Sequence, residues 1–477
     1  MKRSLLLLSI VFVSMLANAQ PNVESFVPKA IGYTAPKEKA VQDHLKRWQG
    51  YKFGIIIHFG LYSELGCVES WAMCPEEWCD RNNDNYWDYC TNYRNTHRKF
   101  NPVNFNPDKW TAAIKDAGAK YLIFTTKHHD GFCMYDTKFT DFKITAPTSP
   151  FSTNPKANVA KEVFASCRKN GLEVGAYFSK PDWTTPYFWW SYYPPKDRNP
   201  SYDISKHKDR WHKFVDYTQN QLDEITTQLG KVDILWLDGC WVRPKNTIDS
   251  AVVEFCQYPH DMDINMKKVA EKARKANPEM LIVDRWVPSE YENYLTPERK
   301  AMSKALMTPW ESCITMTNDW GWVKNAKYKS SNELIQLLVS IVAKGGNLLL
   351  GVGPDGKGEF EPAVYERLAD MGKWLDVSGE AIYNTTPIEP FQDGKMYYTR
   401  ASEKVTYAIY LPDAKENMMP NELFVSTSMK GNLKVSMLSN KKALKFKQTQ
   451  GGLQVSIPKQ FSAIQGNPAI VLKIEKK

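Results

Sequence analysis

Beyond its first nineteen residues the sequence holds no apolar run that approaches the length of a membrane-spanning helix. It also lacks a lysine- or arginine-rich run, although its formal charge is +9. The surplus therefore reads as a basic solvated surface and argues against nucleic acid as a partner. No internal repeat and no low-complexity stretch is present. No glycine-rich turn follows an early strand, because Gly54 and Gly60 do not supply one, and this removes the dinucleotide-binding class. A phosphate loop, a serine nucleophile elbow and the H-x-H and H-E-x-x-H metal patterns are missing too. Cysteine is sparse and odd in number, nine in 477 residues, so at least one thiol stays free or pairs outside the chain. Cys67, Cys74, Cys79 and Cys90 crowd together, but spacings of seven, five and eleven residues fit no standard zinc pattern. Disulfides or free thiols remain for that stretch.

What is present points to a large soluble protein. Hydrophobic residues are 43 % and charged residues 24 %, near the globular average. Aromatics reach 13 %, with 16 Trp and 24 Tyr, which suits either a big core or a platform for the apolar faces of sugar rings. Residues 1–19 read as a cleavable secretory leader: Lys2 and Arg3, an apolar run from Leu5, then Ala17-Asn18-Ala19 as the cleavage site. A secreted or periplasmic location is expected from it. No cysteine follows the cleavage site, so no lipid anchor is expected there.

From about residue 50 to 380, short apolar runs alternate with helical periodicity. Residues 53–57, 121–125, 172–178, 232–236, 281–283 and 347–350 read as parallel strands buried on both faces. Between them, Trp110, Ala113, Ile114 and Ala117 recur at helical spacing behind Asn106-Pro107 and before Gly118. Two more helical stripes run from Phe214 to Ile225 and from Leu334 to Val342, closed by Gly230 and Gly345. The alternation fits a (β/α)8 barrel or a doubly wound sheet. The strand ends favour the barrel. They carry His58, Lys127-His128-His129-Asp130, Ser179-Lys180-Pro181-Asp182, Asp238 and Asp284-Arg285-Trp286, which is where barrel enzymes hold their chemistry. After residue 385, short alternating strands predict a C-terminal antiparallel β-sandwich. The predicted organisation is a leader over 1–19, a (β/α)8-like catalytic domain over 20–384 and a sandwich over 385–477.

His58, His128 and His129 could bind a metal or hydrogen-bond neutral hydroxyls. Adjacent residues of an extended chain point oppositely, so His128 and His129 reach one ligand only from an irregular loop. Asp238, at a strand mouth with Trp236 and Trp241 nearby, suits a nucleophile, a metal ligand or a structural ion pair. Glu298 follows on a later loop. Two carboxylates on different loops, histidines and many tryptophans together describe a glycosidase cleft.

The motifs resemble those of the family 29 α-L-fucosidases of the glycoside hydrolases. The resemblance is carried by residues 53–63 (Phe-Gly-Ile-Ile-Ile-His-Phe-Gly-Leu-Tyr-Ser), 105–110 with 117–121, 127–132 (Lys-His-His-Asp-Gly-Phe), 175–179, 235–239 (Leu-Trp-Leu-Asp-Gly) and 347–356. It implies an exo-acting retaining α-L-fucosidase that needs no cofactor and no metal, with a fucosylated oligosaccharide or glycoconjugate as partner. Homo-oligomerisation is left open. The resemblance gives Asp238 the part of nucleophile and Glu298, in its Thr-Pro-Glu context, that of general acid/base, with Glu311 as a rival. His58, His128, His129, Tyr177, Trp236 and Arg285 fall at or beside the sugar, and Glu77-Trp78 resembles a sugar-reaching Glu-Trp pair. In such a site Arg285 or a neutral histidine would keep Asp238 ionised, and an apolar tryptophan setting would raise the Glu298 carboxyl. The alternatives are a retaining glycosidase of this fold acting on a galactoside, a non-catalytic carbohydrate-binding barrel, and a metal-dependent hydrolase built on the histidines.

Overall fold

The apolar runs form a curved parallel sheet in the computed structural model, which describes residues 33–77, 79, 81, 85–248, 260–299, 301–464 and 466–477. Its strands are β1 (Phe53–Ile57), β2 (Tyr121–Lys127), β3 (Glu173–Ser179), β4 (Ile234–Asp238), β5 (Leu281–Asp284), β6 (Glu311–Thr315) and β7 (Asn347–Val352). The order is β5-β4-β3-β2-β1-β7-β6, and every neighbouring pair is parallel. That order runs steadily around a barrel and does not reverse as a doubly wound sheet would. Almost every strand residue is buried, as two covered faces require.

Among the described residues the barrel has seven regular strands, not eight. The gap between β5 and β6 is filled by residues 291–299, which run antiparallel to β5 and parallel to β6 through isolated bridges. The bridges are Val283–Glu292, Leu295–Trp310 and Glu298–Cys313. On the β5 side Asn293 N donates to Ile282 O at 2.9 Å. On the β6 side Arg299 N donates to Cys313 O at 2.8 Å and Glu311 N to Leu295 O at 2.8 Å. The segment closes the wall without an eighth ladder.

Local signals set the outer helices. Asn106 accepts from Lys109 N at 3.1 Å and starts the helix Pro107–Asp116. Ser330 and Glu333 form a reciprocal capping box on the helix Ser331–Ala343. A further helix, Lys39–Tyr51, was not anticipated. Its Trp48 stacks on Tyr294 with centroids 3.9 Å apart and joins the inner core with Ile56, Tyr121, Tyr177 and Trp236. No helix among the described residues is long and apolar enough to cross a membrane. The expected leader lies outside the described residues.

The C-terminal strands are β8 (Thr386–Asp393), β9 (Met396–Ser402), β10 (Val405–Tyr410), β11 (Glu422–Ser426), β12 (Leu433–Met437), β13 (Phe446–Thr449), β14 (Gly452–Ser456) and β15 (Ile470–Lys476). They form antiparallel sheets of order β12-β15-β10-β9-β8 and β11-β14-β13. Strands β8 and β13 were not anticipated. The first is an edge strand with two prolines, and the second is mostly exposed, so neither shows apolar alternation. Tyr407, Ile409 and Val471 pack into the barrel core, and Trp374 Nε1 donates to Ala469 O at 3.0 Å across the junction. Among the described residues Cys67, Cys74, Cys79, Cys90, Cys133, Cys167 and Cys313 are free thiols, and all of these but Cys67 are buried. They act as small apolar groups here.

Candidate active site

Strand β4 ends on Asp238, and Gly239 turns the chain away with φ +84°. A Cβ on Gly239 would lie 2.2 Å from Pro181, so the turn needs glycine twice over. Asp238 Oδ1 pairs with Arg285 Nη1 at 3.0 Å, Oδ2 accepts from Tyr177 OH at 2.8 Å, and His129 Nε2 stands 3.8 Å away. Burial pushes the Asp238 carboxyl up, but Arg285, with help from His129 and Tyr177, holds it well below the usual carboxylate range.

The second guanidinium nitrogen, Arg285 Nη2, bonds Glu298 Oε2. Glu298 Oε1 accepts from Trp320 Nε1 at 3.2 Å and lies 3.8 Å from Arg299 Nε. A tryptophan does border Glu298, as expected, but Trp320 meets it with its N–H, and its charged partners are the guanidinium groups of Arg285 and Arg299. Asp238, Arg285 and Glu298 share a further feature. Each is followed at once by a residue in the left-handed region: Gly239, Trp286 (φ 60°) and Arg299 (φ 55°). The two that are not glycine cost about 1–3 kcal/mol each. Packing holds them, since Trp286 N donates to Glu292 Oε1 at 2.9 Å and Trp286 Nε1 to Thr296 O at 2.9 Å.

Three histidines complete the mouth. His128 and His129 follow β2 where its register with β3 shifts between Thr125 and Lys127, and their rings are 4.3 Å apart. The irregular backbone that two adjacent inward histidines require is the turn that follows the strand, where Gly131 N donates to His128 O at 3.1 Å. Ser70 bonds His128 Nδ1, and His128 stacks on Tyr177 at 5.6 Å. The His58 ring lies 5.4 Å from Tyr177 and 5.3 Å from Trp320. His129 is walled by Trp71, Trp183 and Trp241 at 5.0, 5.1 and 5.2 Å. Burial pushes all three histidines down, His128 to about 4, so each is neutral near pH 7. Nδ1 of His58 and of His129 is buried with no hydrogen-bond partner among the described residues. Such atoms suit a ligand's hydroxyl groups. Among the described residues no group of three or more His, Cys, Asp or Glu is placed to hold a metal ion.

The other expected residues fall out unevenly. Tyr177, Trp236 and Arg285 gather at Asp238, Trp236 stacking on Tyr177 at 5.4 Å and lying 5.0 Å from the Arg285 guanidinium. Glu77 is exposed and does not join them, and Trp78 lies outside the described residues. Glu76 turns inward instead, pairing with Arg198, which stacks over Trp71 and Trp241. The groups this Cys-rich stretch brings to the histidines are Ser70 and Trp71. The sequence signal for them is Glu69-Ser70-Trp71, a glutamate and a tryptophan eight and seven residues ahead of the Glu77-Trp78 pair. Arg299, Trp183 and Trp320 also went unanticipated. Glu311 stands at the start of β6, inside the barrel and fully buried, beneath Trp236 and away from the open mouth.

Burial raises several carboxyls. Asp130 is raised to about 6, Glu69 to about 7, and Glu292 and Glu311 to about 8. An acid whose folded value is raised keeps its proton where the unfolded chain has lost it, so its stability contribution falls as pH rises toward that value. The lowered histidines act oppositely, but only below their unfolded value near 6.5. Asp238, whose folded value is lowered, contributes stability above the ordinary carboxylate range and loses it only at strongly acid pH. Between pH 6.5 and 8 Glu69, Glu292 and Glu311 set the falling slope, each costing up to about 1.4 kcal/mol per pH unit; His44, which is raised, adds to it, and Lys52, lowered to about 8, opposes it only toward the upper end. The melting temperature should fall across that window, and Glu292→Gln should make the fall shallower. Circular-dichroism melts of both proteins at half-unit pH steps measure it; an unchanged slope contradicts the expectation.

Comparison with known proteins agrees with this geometry. Residues 22–380 match the family model for α-L-fucosidase, and residues 390–475 match that for the α-L-fucosidase C-terminal domain. Plasma α-L-fucosidase of Pongo abelii is 29 % identical over 379 residues, covering 76 % of this chain and 75 % of its own. α-L-Fucosidase isoenzyme 1 from Paenibacillus thiaminolyticus superposes with a TM-score of 0.72 at 25 % identity, over 92 % of this chain and 100 % of that one. Thermotoga maritima α-fucosidase in complex with fucose superposes with a TM-score of 0.70 at 25 % identity, over 92 % of this chain and 99 % of that one. With both of its domains matched in order, the chain belongs to the α-L-fucosidases of glycoside hydrolase family 29.

Proposed function

We propose that this α-L-fucosidase is an exo-acting, retaining enzyme that removes terminal α-L-fucosyl groups from glycans by double displacement. Asp238 is the nucleophile and Glu298 the general acid/base. The observation that carries this reading is the Arg285 guanidinium, which bonds both carboxyls at once. Sharing one guanidinium holds the two acids side by side, which supports a retaining pair, whose carboxyls stand roughly 5–5.5 Å apart. An inverting pair needs roughly 6.5–9.5 Å to hold a water between them.

Each group then has a task. Arg285 and Tyr177 keep Asp238 anionic and aimed, so that it can attack the anomeric carbon. Glu298 gives its proton to the departing oxygen and takes one back from the water that releases fucose. The Trp320 indole N–H fixes one Glu298 oxygen during both steps. The neutral His58, His128 and His129 bind the sugar hydroxyls, where charged imidazolium would compete for Asp238. Trp71, Trp183 and Trp241 offer an apolar wall suited to the C–H faces of the pyranose and its C6 methyl. The substrate class is a fucosylated oligosaccharide or glycoconjugate. The leader expected over residues 1–19 supports secretion or a periplasmic site, with Gln20 as the first residue found by N-terminal sequencing from the native host.

Proton NMR of aryl α-L-fucoside hydrolysis tests the reading. α-L-Fucose should be formed first and mutarotate later. First-formed β-L-fucose would overturn retention, and cleavage of aryl galactosides in preference would overturn the sugar assignment.

A further inference from the structure

Glu311 is a fully buried acid that double displacement leaves without a task. It begins β6, pairs in register with Asn347 of β7, and sits inside the barrel below the cleft. Its Oε2 accepts from the Tyr121 hydroxyl on β2, and its Oε1 accepts from Trp236 Nε1 on β4 at 3.3 Å. That indole is the floor on which the Asp238 cluster rests. Its ring stacks on Tyr177 at an interplanar angle of 25°, and the Arg285 guanidinium lies over it at 5.0 Å. Tyr177 and Arg285 are the two side chains that bond the two Asp238 oxygens. The contacts thus run from Glu311 through one ring to both groups that aim the carboxylate.

We propose that Glu311 is a positioning residue that acts through Trp236: by accepting the indole N–H it fixes the ring plane on which Tyr177 and Arg285 lie, and so fixes the attack geometry of Asp238. This rests on the reading of Asp238 as nucleophile. An indole free to tilt would let both partners of Asp238 shift, and a displacement near 1 Å costs up to about 10²-fold in rate.

The proton state of Glu311 belongs to the same device. Tyr121 from β2, Tyr294 from the closing segment, Arg285 after β5 and Cys313 on β6 are the titratable or charged groups around it. Trp236 from β4 and Asn347 from β7 bring no charge. Burial dominates and raises the carboxyl to about 8, with Tyr121, Trp236, Tyr294 and Arg285 opposing. Below that pH Glu311 is neutral and the Arg285 charge is left to Asp238 and Glu298. Above it, a new anion beneath Trp236 competes for the same guanidinium.

The test uses the full-length protein and an aryl α-L-fucoside whose leaving group departs with little protonation. Glu311→Leu removes the acceptor and should lower kcat roughly 10- to 100-fold with little change in KM. Glu311→Gln keeps an acceptor without a charge; it should restore most of that kcat at pH 6 and abolish the fall in activity centred near pH 8. Because the effect passes through the indole N–H, Glu311→Leu should cost almost nothing further in a Trp236→Phe background. Fully additive losses would overturn the proposal. A readout independent of turnover is the Trp236 indole N–H resonance, assigned by its loss in Trp236→Phe. It should titrate near pH 8 in the native protein and stay fixed in Glu311→Gln; a resonance indifferent to Glu311 overturns the proposal even if Glu311→Leu fails to fold. If the native protein forms no α-L-fucose, the retaining reading fails separately, and the resonance still decides the contact.

Discussion

Asp238→Ala should slow turnover of every fucoside by ~10⁴-fold or more, about 5.5 kcal/mol at roughly 1.36 kcal/mol per decade. The loss should not depend on the leaving group, because the missing oxygen is the one that forms the glycosyl–enzyme bond. The fold should survive. Arg285 keeps Glu298 as a partner, so the substitution leaves no buried guanidinium wholly uncompensated. Removing the carboxylate opens the face opposite the leaving group, and external azide should occupy it and yield β-L-fucosyl azide. The checks are kcat for aryl and natural substrates and the anomeric configuration of the azide product by NMR. An Asp238→Ala protein that stays active removes the centre of the mechanism.

Glu298→Ala should behave differently. Loss of a proton donor typically costs ~10²–10⁴-fold. Natural glycans should suffer the upper end, since their alkoxide leaving groups need the proton. Aryl fucosides should form the intermediate almost normally and then stall, because the base that activates water is gone. Azide should relieve that stall from the leaving-group face and give α-L-fucosyl azide. A burst of aryl alcohol followed by a slow steady state is the kinetic signature. Near-normal hydrolysis of a natural glycan by Glu298→Ala would move the acid/base role elsewhere. Glu311 is then a poor heir: it is sealed under Trp236, and a proton donor must reach the leaving oxygen from the open mouth.

The strands legible in the sequence were those whose burial shows as apolar residues. β1, β2, β4 and β7 are nearly continuous apolar runs, and their ends carry His58, His128, Asp238 and a glycine-rich exit. β6 was invisible. It reads Glu-Ser-Cys-Ile-Thr, yet all five residues are buried. Its polar atoms are satisfied by partners far away in sequence, such as Tyr121 and Trp236 on Glu311, and no local pattern announces such partners. The same limit explains the loop between Cys67 and Cys90. Periodicity cannot say which glutamate of an irregular stretch turns inward, so Glu77 was favoured while Ser70 and Trp71 take the places at the histidines. Type and context single out Asp238 and Glu298 in the sequence, and the structure brings both onto Arg285. That common guanidinium was not legible, because the contact joins β4 to a segment sixty residues later.

That segment also sets how the molecule loses activity. β1 to β4 and β7 are held by continuous ladders on both edges, whereas residues 291–299, though buried and anchored by Tyr294 on Trp48, join β5 and β6 through isolated bridges and not a ladder. Local opening follows the number of bonds that must break together. In native-state hydrogen exchange the amides of Asn293, Leu295 and Arg299 then exchange before those of Ile56 or Ile123. Each such opening carries Glu298 off Arg285 and leaves Asp238, Tyr177 and the histidines seated. On the roles proposed above, the protein so formed keeps its sugar-binding histidines and loses its proton donor, so heating is expected to abolish turnover at temperatures where the barrel is still folded.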